Sequence, residues 1–235
     1  MPTMPDLSLE PRKVNTRNPS KVEIFGLDDI RRHFDEAIVL ILKQIDATNF
    51  LITHGKQDEA KDIWRSQIMF LDSAFDFFLH ELVKLGIISM FHESTDKKTV
   101  KYLNLQLTMF NVETALEDCN SDEWLKAWIN ERYAAEAFMS FGAFKSVCNM
   151  LGLEIQAIAD KAFYEAGSNV KTADKLRNKI NELYTRRNQI AHQSDRLREN
   201  AERQDISKDS VLEKLEDIKK IISAVYDEAK RTYNT

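Results

Sequence analysis

The stretch Trp64–Ile87, "WRSQIMFLDSAFDFFLHELVKLGI", decides the fold that the sequence predicts. Apolar residues recur in it three and four positions apart, the period of one helix face: Trp64, Ile68, Leu71, Phe75, Phe78, Leu79 and Leu82. Phe70, Ala74 and Phe77 make much of the opposite side apolar too. A helix that is apolar nearly all round is expected to be buried. We therefore predict a helix over about 59–85 at the centre of a bundle.

The rest of the chain also favours helices. All four prolines lie between Pro2 and Pro19, and proline is the main breaker of helical patterns. A long helix is predicted over about 27–54, and a last one over about 208–233 carries apolar residues in a 3-4-3-4 pattern. The predicted fold is all-α: an up-and-down helical bundle with an extra N-terminal helix and a C-terminal heptad-patterned helix.

Composition narrows the setting of the protein. We expect a flexible, proline-bearing arm over 1–22 and a single helical domain over 23–235. The longest apolar run, "AIVLIL", is far shorter than the ~20 residues that a membrane span needs. No signal peptide is evident, and the two cysteines form no CxxC pair. These features predict a cytoplasmic protein without membrane contact, and no residue pattern predicts a metal site or a cofactor.

The most informative oddity lies in "YTRRNQIAHQSDR", which runs from Tyr184 to Arg196. Arg187 projects into the apolar stripe of its helix, and a guanidinium there is costly to desolvate unless an anion meets it. Asp72 or Asp76 of the central helix is the simplest counter-charge. The alternative is that these aspartates meet only Arg65 or water. Arg186 falls on the flank of the stripe, where solvent suffices.

His192 lies about 140° round the helix from Arg187, on the side of Asn188, with Tyr184 between the two faces. One straight helix therefore does not point both groups at one place. Three solutions stay open: the arginine reaches round, the helix ends near His192, or two copies of the motif meet across a dimer axis. His80 lies near the two aspartates on the central helix, and we expect a structural role for it.

"RRNQIAH" resembles the R-x(4–6)-H motif of the HEPN superfamily, as Arg187-Asn188-x-x-x-His192. Trp64–Ile87 is similar to the first core helix of its RiboL-PSP branch, so that the resemblance is strongest over 59–196. This resemblance implies a helical bundle, a homodimer with two motifs in one cleft, and often metal-independent endoribonuclease activity. His192 would then be the general acid or base and Arg187 the phosphate ligand. Asn188 would support them, and we add Tyr184, Arg186, Asp72 and Asp76 as supporting or substrate-binding candidates.

The implied chemistry suits these residue types. Imidazole has an ordinary pKa of ~6.5 and exchanges protons near neutral pH, and a guanidinium matches phosphate oxygens. The net charge of −5 argues against broad coating of nucleic acid, but 171–203 carries a local basic excess that suits a small RNA footprint. The alternative for these charges is an ordinary solvated helix.

The sequence leaves three candidate functions open. The leading one is an endoribonuclease acting in phage defence or as a toxin, with RNA and an antitoxin or defence-system protein as partners. The second is a catalytically silent helical dimerisation or interaction module. The third is a nucleotide-binding regulator that uses the same cleft.

Overall fold

The computed structural model describes residues 22–117, 119–197 and 199–233. Within these ranges the chain forms α-helices and one short 3-10 turn, without a β-strand; Arg196 and Arg203 form an isolated bridge. The helices are α1 (Leu27–Thr53), α2 (Gln57–His92), α3 (Val100–Leu103), α4 (Met109–Glu117), α5 (Glu123–Tyr133), α6 (Phe141–Leu151), α7 (Ile155–Phe163), α8 (Thr172–Gln193) and α9 (Lys208–Tyr233). The all-α prediction is confirmed. The expected arm over 1–22 lies almost wholly outside the described residues.

Helix α2 is the centre of the bundle, and α1, α5, α6, α8 and α9 all pack against it. It continues through Gly86, where an added Cβ would lie 2.5 Å from Leu151 of α6 and 2.6 Å from the Tyr233 hydroxyl of α9. Glycine is needed here because two helices approach the backbone closely. The glycine thus serves close helix packing and does not end the helix, and α2 runs past the predicted end near residue 85 to His92.

The expectation that α2 is buried on all sides is wrong at Phe70 and Phe77, which are 51% and 43% exposed. The face of α2 that carries Phe75, Phe78 and Leu82 is fully buried, as predicted. The opposite side is covered only in part, and α1 and α2 leave an apolar groove of about 400 Å³ between them. Periodicity shows which residues are apolar and leaves open whether the same chain covers them.

Helix α8 carries the motif and is held by Leu176, Ile180 and Leu183, which are buried. It begins at Thr172, which does not act as a side-chain cap; the Thr172 hydroxyl instead donates to Asp160 of α7. The helix ends at Gln193, and the next two residues, Ser194 and Asp195, adopt left-handed backbone angles with φ of 49° and 59°. The chain therefore turns sharply directly after His192.

No helix in the described part of the chain combines the length and apolar character needed to cross a bilayer.

Candidate functional site

Arg187 meets the counter-charge that its position on the apolar stripe requires. Its Nε lies 3.0 Å from Oδ2 of Asp72, whose side chain is 1% exposed on α2. The Arg187 side chain as a whole is 26% exposed, and its Nη1 donates to the amide oxygen of Asn188 at 3.0 Å. One edge of the guanidinium thus faces a buried carboxylate, while part of the side chain remains open to solvent.

The carboxyl group of Asp72 has a strongly perturbed pKa. Burial raises its pKa to about 7, although the charge of Arg187 acts in the opposite direction, and the nearby Asp76 raises the pKa further. Neither carboxylate oxygen has a well-aligned hydrogen bond among the described residues, so that Asp72 depends on the ion pair alone. Asp72 therefore changes protonation close to neutral pH, directly beneath Arg187.

Asp76, the other candidate partner of Arg187, has a different role. Its Oδ1 accepts a hydrogen bond from the backbone N–H of Phe138 at 2.8 Å, and its Oδ2 lies 3.5 Å from Nε2 of His80. His80 also contacts the carbonyl oxygen of Glu136 at 3.0 Å. Asp76 and His80 together tie α2 to the segment 134–140, which connects α5 to α6.

Arg186 is not the solvated flank residue that the helical wheel suggests. It makes a bidentate ion pair with Asp195, which is fully buried, and its Nη1 also contacts the Gln204 side chain at 3.2 Å. Arg65 of α2 binds the same carboxylate from the other side, with its Nε 2.5 Å from Oδ2 of Asp195. Arg186 is therefore part of a buried Arg65–Asp195–Arg186 cluster that fixes the turn after α8.

His192 lies near the C-terminal end of α8 and is exposed, whereas Asn188 and Gln189, one turn before it, are half-buried. Asn188 contacts Arg187 and lines a separate depression with Gln189 and Gln193. Tyr184 is half-buried. Within one chain, Arg187 is thus brought together with Asp72 and Asn188, whereas His192 does not line the cleft that Arg187 enters.

That cleft has a volume of about 390 Å³, within the ~300–1,000 Å³ range of small-ligand pockets. Its walls are α2, α5, the segment 134–140 and Arg187 of α8. Its charged and titratable lining residues are Asp72, Asp76, His80, Glu81, Lys84, Tyr133 and Arg187. Among the residues that the structure describes, no cluster of three or more His, Cys, Asp or Glu side chains is arranged to hold a metal ion.

The local basic excess of 171–203 is largely neutralised by acidic residues elsewhere. Lys175 pairs with Glu165, Lys179 with Glu213 and Asp217, and Arg203 with Asp62. Arg187 is the cation of this region that reaches the cleft. Much of the basic excess that the sequence shows over 171–203 is therefore paired with carboxylates in the described part of this region.

Sequence reasoning missed Asp195 and did not place His80 in the Arg187 cleft. Asp195 looked like an ordinary polar residue after a helix, because its two arginine partners are 130 and 9 positions away. His80 had a readable signal, since Asp76 precedes it by four residues on the same helix. Its place in the Arg187 cleft depends on the segment 134–140, which carries no comparable signal.

An all-α bundle in which an arginine and a histidine lie five positions apart, at the end of a helix packed on the central one, defines a HEPN-type domain. The family model RiboL-PSP-HEPN matches residues 28–231, and the chain belongs to this family. The match covers nearly all of α1 and of α9, so that both helices lie within the matched domain. Searches of curated proteins and of solved structures found no match. Membership of this family indicates a ribonuclease or a nucleotide-binding module.

Proposed function

We propose that this protein is a metal-independent endoribonuclease whose Arg187 binds the scissile phosphate and whose His192 transfers a proton. The observation that carries the proposal is the placement of Arg187. Its guanidinium is oriented by buried Asp72, and the side chain remains partly exposed and opens onto a cleft of nucleotide-compatible size. Such a preoriented cation stabilises charge that develops on a phosphate without reorganising.

The reaction needs only groups that the chain supplies. The 2′-oxygen of the RNA attacks the adjacent phosphorus and forms a P–O2′ bond, while a base takes the 2′-OH proton. The P–O5′ bond breaks, and the leaving 5′-oxygen takes up a proton from an acid. Arg187 neutralises the non-bridging oxygens of the phosphorane, and His192 is one of the two proton-transfer groups. The products are a 2′,3′-cyclic phosphate and a 5′-hydroxyl.

A homodimer with the two motifs facing a shared cleft is part of this proposal. One chain keeps its exposed His192 outside the cleft of its own Arg187, and a second copy offers its own His192. The apolar groove beside the cleft supports the same arrangement, because Phe70 and Phe77 expose apolar surface that a monomer would leave in water.

The second candidate function is a catalytically silent interaction module or a nucleotide-binding regulator. The same exposed Phe70 and Phe77 favour the interaction module. In that case the Arg187–Asp72 pair only shapes an interface. A role in phage defence or as a toxin, with an antitoxin or defence-system protein as partner, stays a prediction of the family resemblance.

A short RNA and its copy with a 2′-deoxynucleotide at the cleavage site separate these functions. With EDTA present, we expect cleavage of the RNA to a 2′,3′-cyclic phosphate and no cleavage of the 2′-deoxy copy at that site. Equal cleavage of both substrates would exclude 2′-OH attack. Binding of both without cleavage would favour the nucleotide-binding regulator.

A further inference from the structure

The reaction proposed above requires two proton transfers, and the Arg187 cleft contains a histidine that the motif does not include. His80 lines the cleft together with Arg187, and its side chain is 18% exposed. Its Nε2 is held by the Glu136 carbonyl and by Asp76, and the centroid of the Phe138 ring lies 4.5 Å from that of the His80 ring. A ring fixed in this way meets the positional demand on an acid or base.

The hydrogen bonds of His80 determine which nitrogen is available. A carbonyl oxygen only accepts, so that Nε2 of His80 carries a proton and donates it to Glu136. Nδ1 of His80 has no hydrogen-bond partner among the described residues. Nδ1 is thus the atom that gains or loses the second proton of the ring, and it belongs to a residue that lines the cleft.

The surroundings of the ring favour its protonated form. Burial lowers the pKa of His80, but the hydrogen bond and charge of Asp76 outweigh it, aided by the Glu136 carbonyl, and the pKa is raised overall. The titratable and charged groups around the ring come from α2, α5, α8 and the connecting segment: Asp72, Asp76, Glu81, Lys84, Tyr133, Glu136 and Arg187. A histidine that keeps its proton to a higher pH is suited to donate it.

We propose that His80, oriented by Asp76, is the second proton-transfer group of the Arg187 cleft and donates the Nδ1 proton to the leaving 5′-oxygen of RNA. His192 then takes the 2′-OH proton, and both imidazoles return to their starting states by exchange with water. This inference rests on the proposed ribonuclease function. It replaces the expectation that His80 is structural, since tying α2 to the segment 134–140 requires Nε2 and leaves Nδ1 unused.

The variant that separates the two roles is His80→Gln, because the glutamine amide keeps a donor for Glu136 but cannot transfer a proton. We expect its melting temperature to stay near that of the wild type and its RNA cleavage to fall ~10²–10⁴-fold, the usual range for loss of general acid–base catalysis. The decline of cleavage at high pH should also disappear. His92→Gln is the matched control: His92 also pairs with an aspartate, Asp122 at 3.3 Å, but is 60% exposed and does not line the cleft.

A substrate with sulfur in place of the bridging 5′-oxygen tests proton donation directly, because a thiolate leaves without a proton. His80→Gln should cleave this substrate within a few-fold of the wild-type rate, whereas His192→Ala should remain slow. If His80→Gln cleaves ordinary RNA at the wild-type rate, or stays equally slow on the sulfur substrate, the donor role is wrong. That result leaves the proposed function standing as long as Arg187→Ala is inactive; full activity of Arg187→Ala removes both.

Discussion

At the scale of single residues, Asp72 and Arg187 show how one buried charge prepares another for function. A carboxylate that is 1% exposed strongly needs a cation, and Arg187 is the cation that reaches it. The ion pair uses Nε of Arg187, and the same residue lines the cleft. Because Asp72 lines the cleft and has a pKa of about 7, the charge of the cleft changes with pH near neutrality.

The burial of Asp72 makes the free energy of unfolding depend on pH. The pKa of Asp72 is raised from 3.8 to about 7 on folding, so that its effect on stability is most favourable below about pH 4 and is lost as pH rises to about 7. The full effect is ~4 kcal/mol by the linkage relation, with 1.36 kcal/mol per pKa unit. Asp72→Asn should remove this decline, as urea unfolding at a series of pH values will show.

Asp46→Asn is the control for that series, because Asp46 is exposed on α1. It should reproduce the wild-type dependence of the free energy of unfolding on pH between 4 and 7. An Asp72→Asn curve that runs parallel to the wild-type curve would show that Asp72 is ionised without cost.

The helical wheel predicted part of this site. It placed Arg187 on the apolar stripe and named Asp72 as a possible partner, and both are as predicted. The helical wheel could not show which of Asp72 and Asp76 pairs with Arg187, because the two lie one turn apart on α2. Asp76 instead binds the backbone of Phe138, which lies 62 positions away in the sequence. The wheel placed Arg186 in solvent because the buried Asp195 comes from a turn with left-handed residues, which helical periodicity does not describe.

At the scale of elements, the end of α8 is anchored by a buried cluster of ion pairs. Asp195 lies between Arg65 and Arg186 without solvent exposure, and its backbone N–H donates to the Gln189 carbonyl at 3.0 Å. The backbone at Ser194 and Asp195 is left-handed, which non-glycine residues adopt only when their surroundings compensate. The Asp195 cluster supplies that compensation and thereby fixes where α8, with His192, ends.

Removing the central charge of this cluster should therefore cost much more than removing a surface partner. Asp195→Asn leaves two arginines around one neutral amide, and we expect a loss of ~3–5 kcal/mol in the free energy of unfolding. Asp62→Asn is the matched control, because Asp62 also pairs with Arg65 but is 55% exposed, and it should cost less than ~1 kcal/mol. Equal losses in urea unfolding would show that the cluster does not anchor the turn.

The longest helices could largely be predicted from the sequence. The predicted first and last helices match α1 and α9 closely, because strong apolar periodicity coincides with buried faces there. The extension of α2 beyond residue 85 was not readable, since the packing of Leu151 and Tyr233 on Gly86 is a tertiary effect. The exposure of Phe70 and Phe77 was unreadable for a related reason: an apolar residue looks the same whether its own chain or another covers it.

At the scale of the whole molecule, charge and shape restrict where RNA binds. The net charge is −5, and the basic residues of 171–203 are mostly paired with carboxylates. Extended phosphate contacts, which give strong salt dependence, are therefore not expected. Binding should instead be confined to the Arg187 cleft and to whatever a second copy adds beside it.

The proposed homodimer predicts a mass of twice 27.3 kDa by light scattering at micromolar concentration. Phe77 borders both the apolar groove and the cleft, so that Phe77→Glu should place a charge in the interface and give the monomer mass. Phe110→Glu is the control on α4, where the side chain is 73% exposed and does not line either depression. A monomeric wild type, or a dimer that persists in Phe77→Glu, would contradict the shared cleft.

The most direct test of the central claim is cleavage of total RNA with EDTA present by the wild type, Arg187→Ala and His192→Ala. Each substitution should lower the cleavage rate by ~10²–10³-fold, because each removes a group that acts in the transition state. His192 is exposed and its loss should leave the melting temperature unchanged, whereas Arg187→Ala leaves Asp72 without its cation and should lower it.

Arg177→Ala and His54→Ala are the matched controls, because both residues are exposed and neither lines the cleft. The account predicts cleavage by the wild type and both controls, with loss in the two motif variants. Full cleavage by His192→Ala, or activity that EDTA abolishes and magnesium restores, would contradict it.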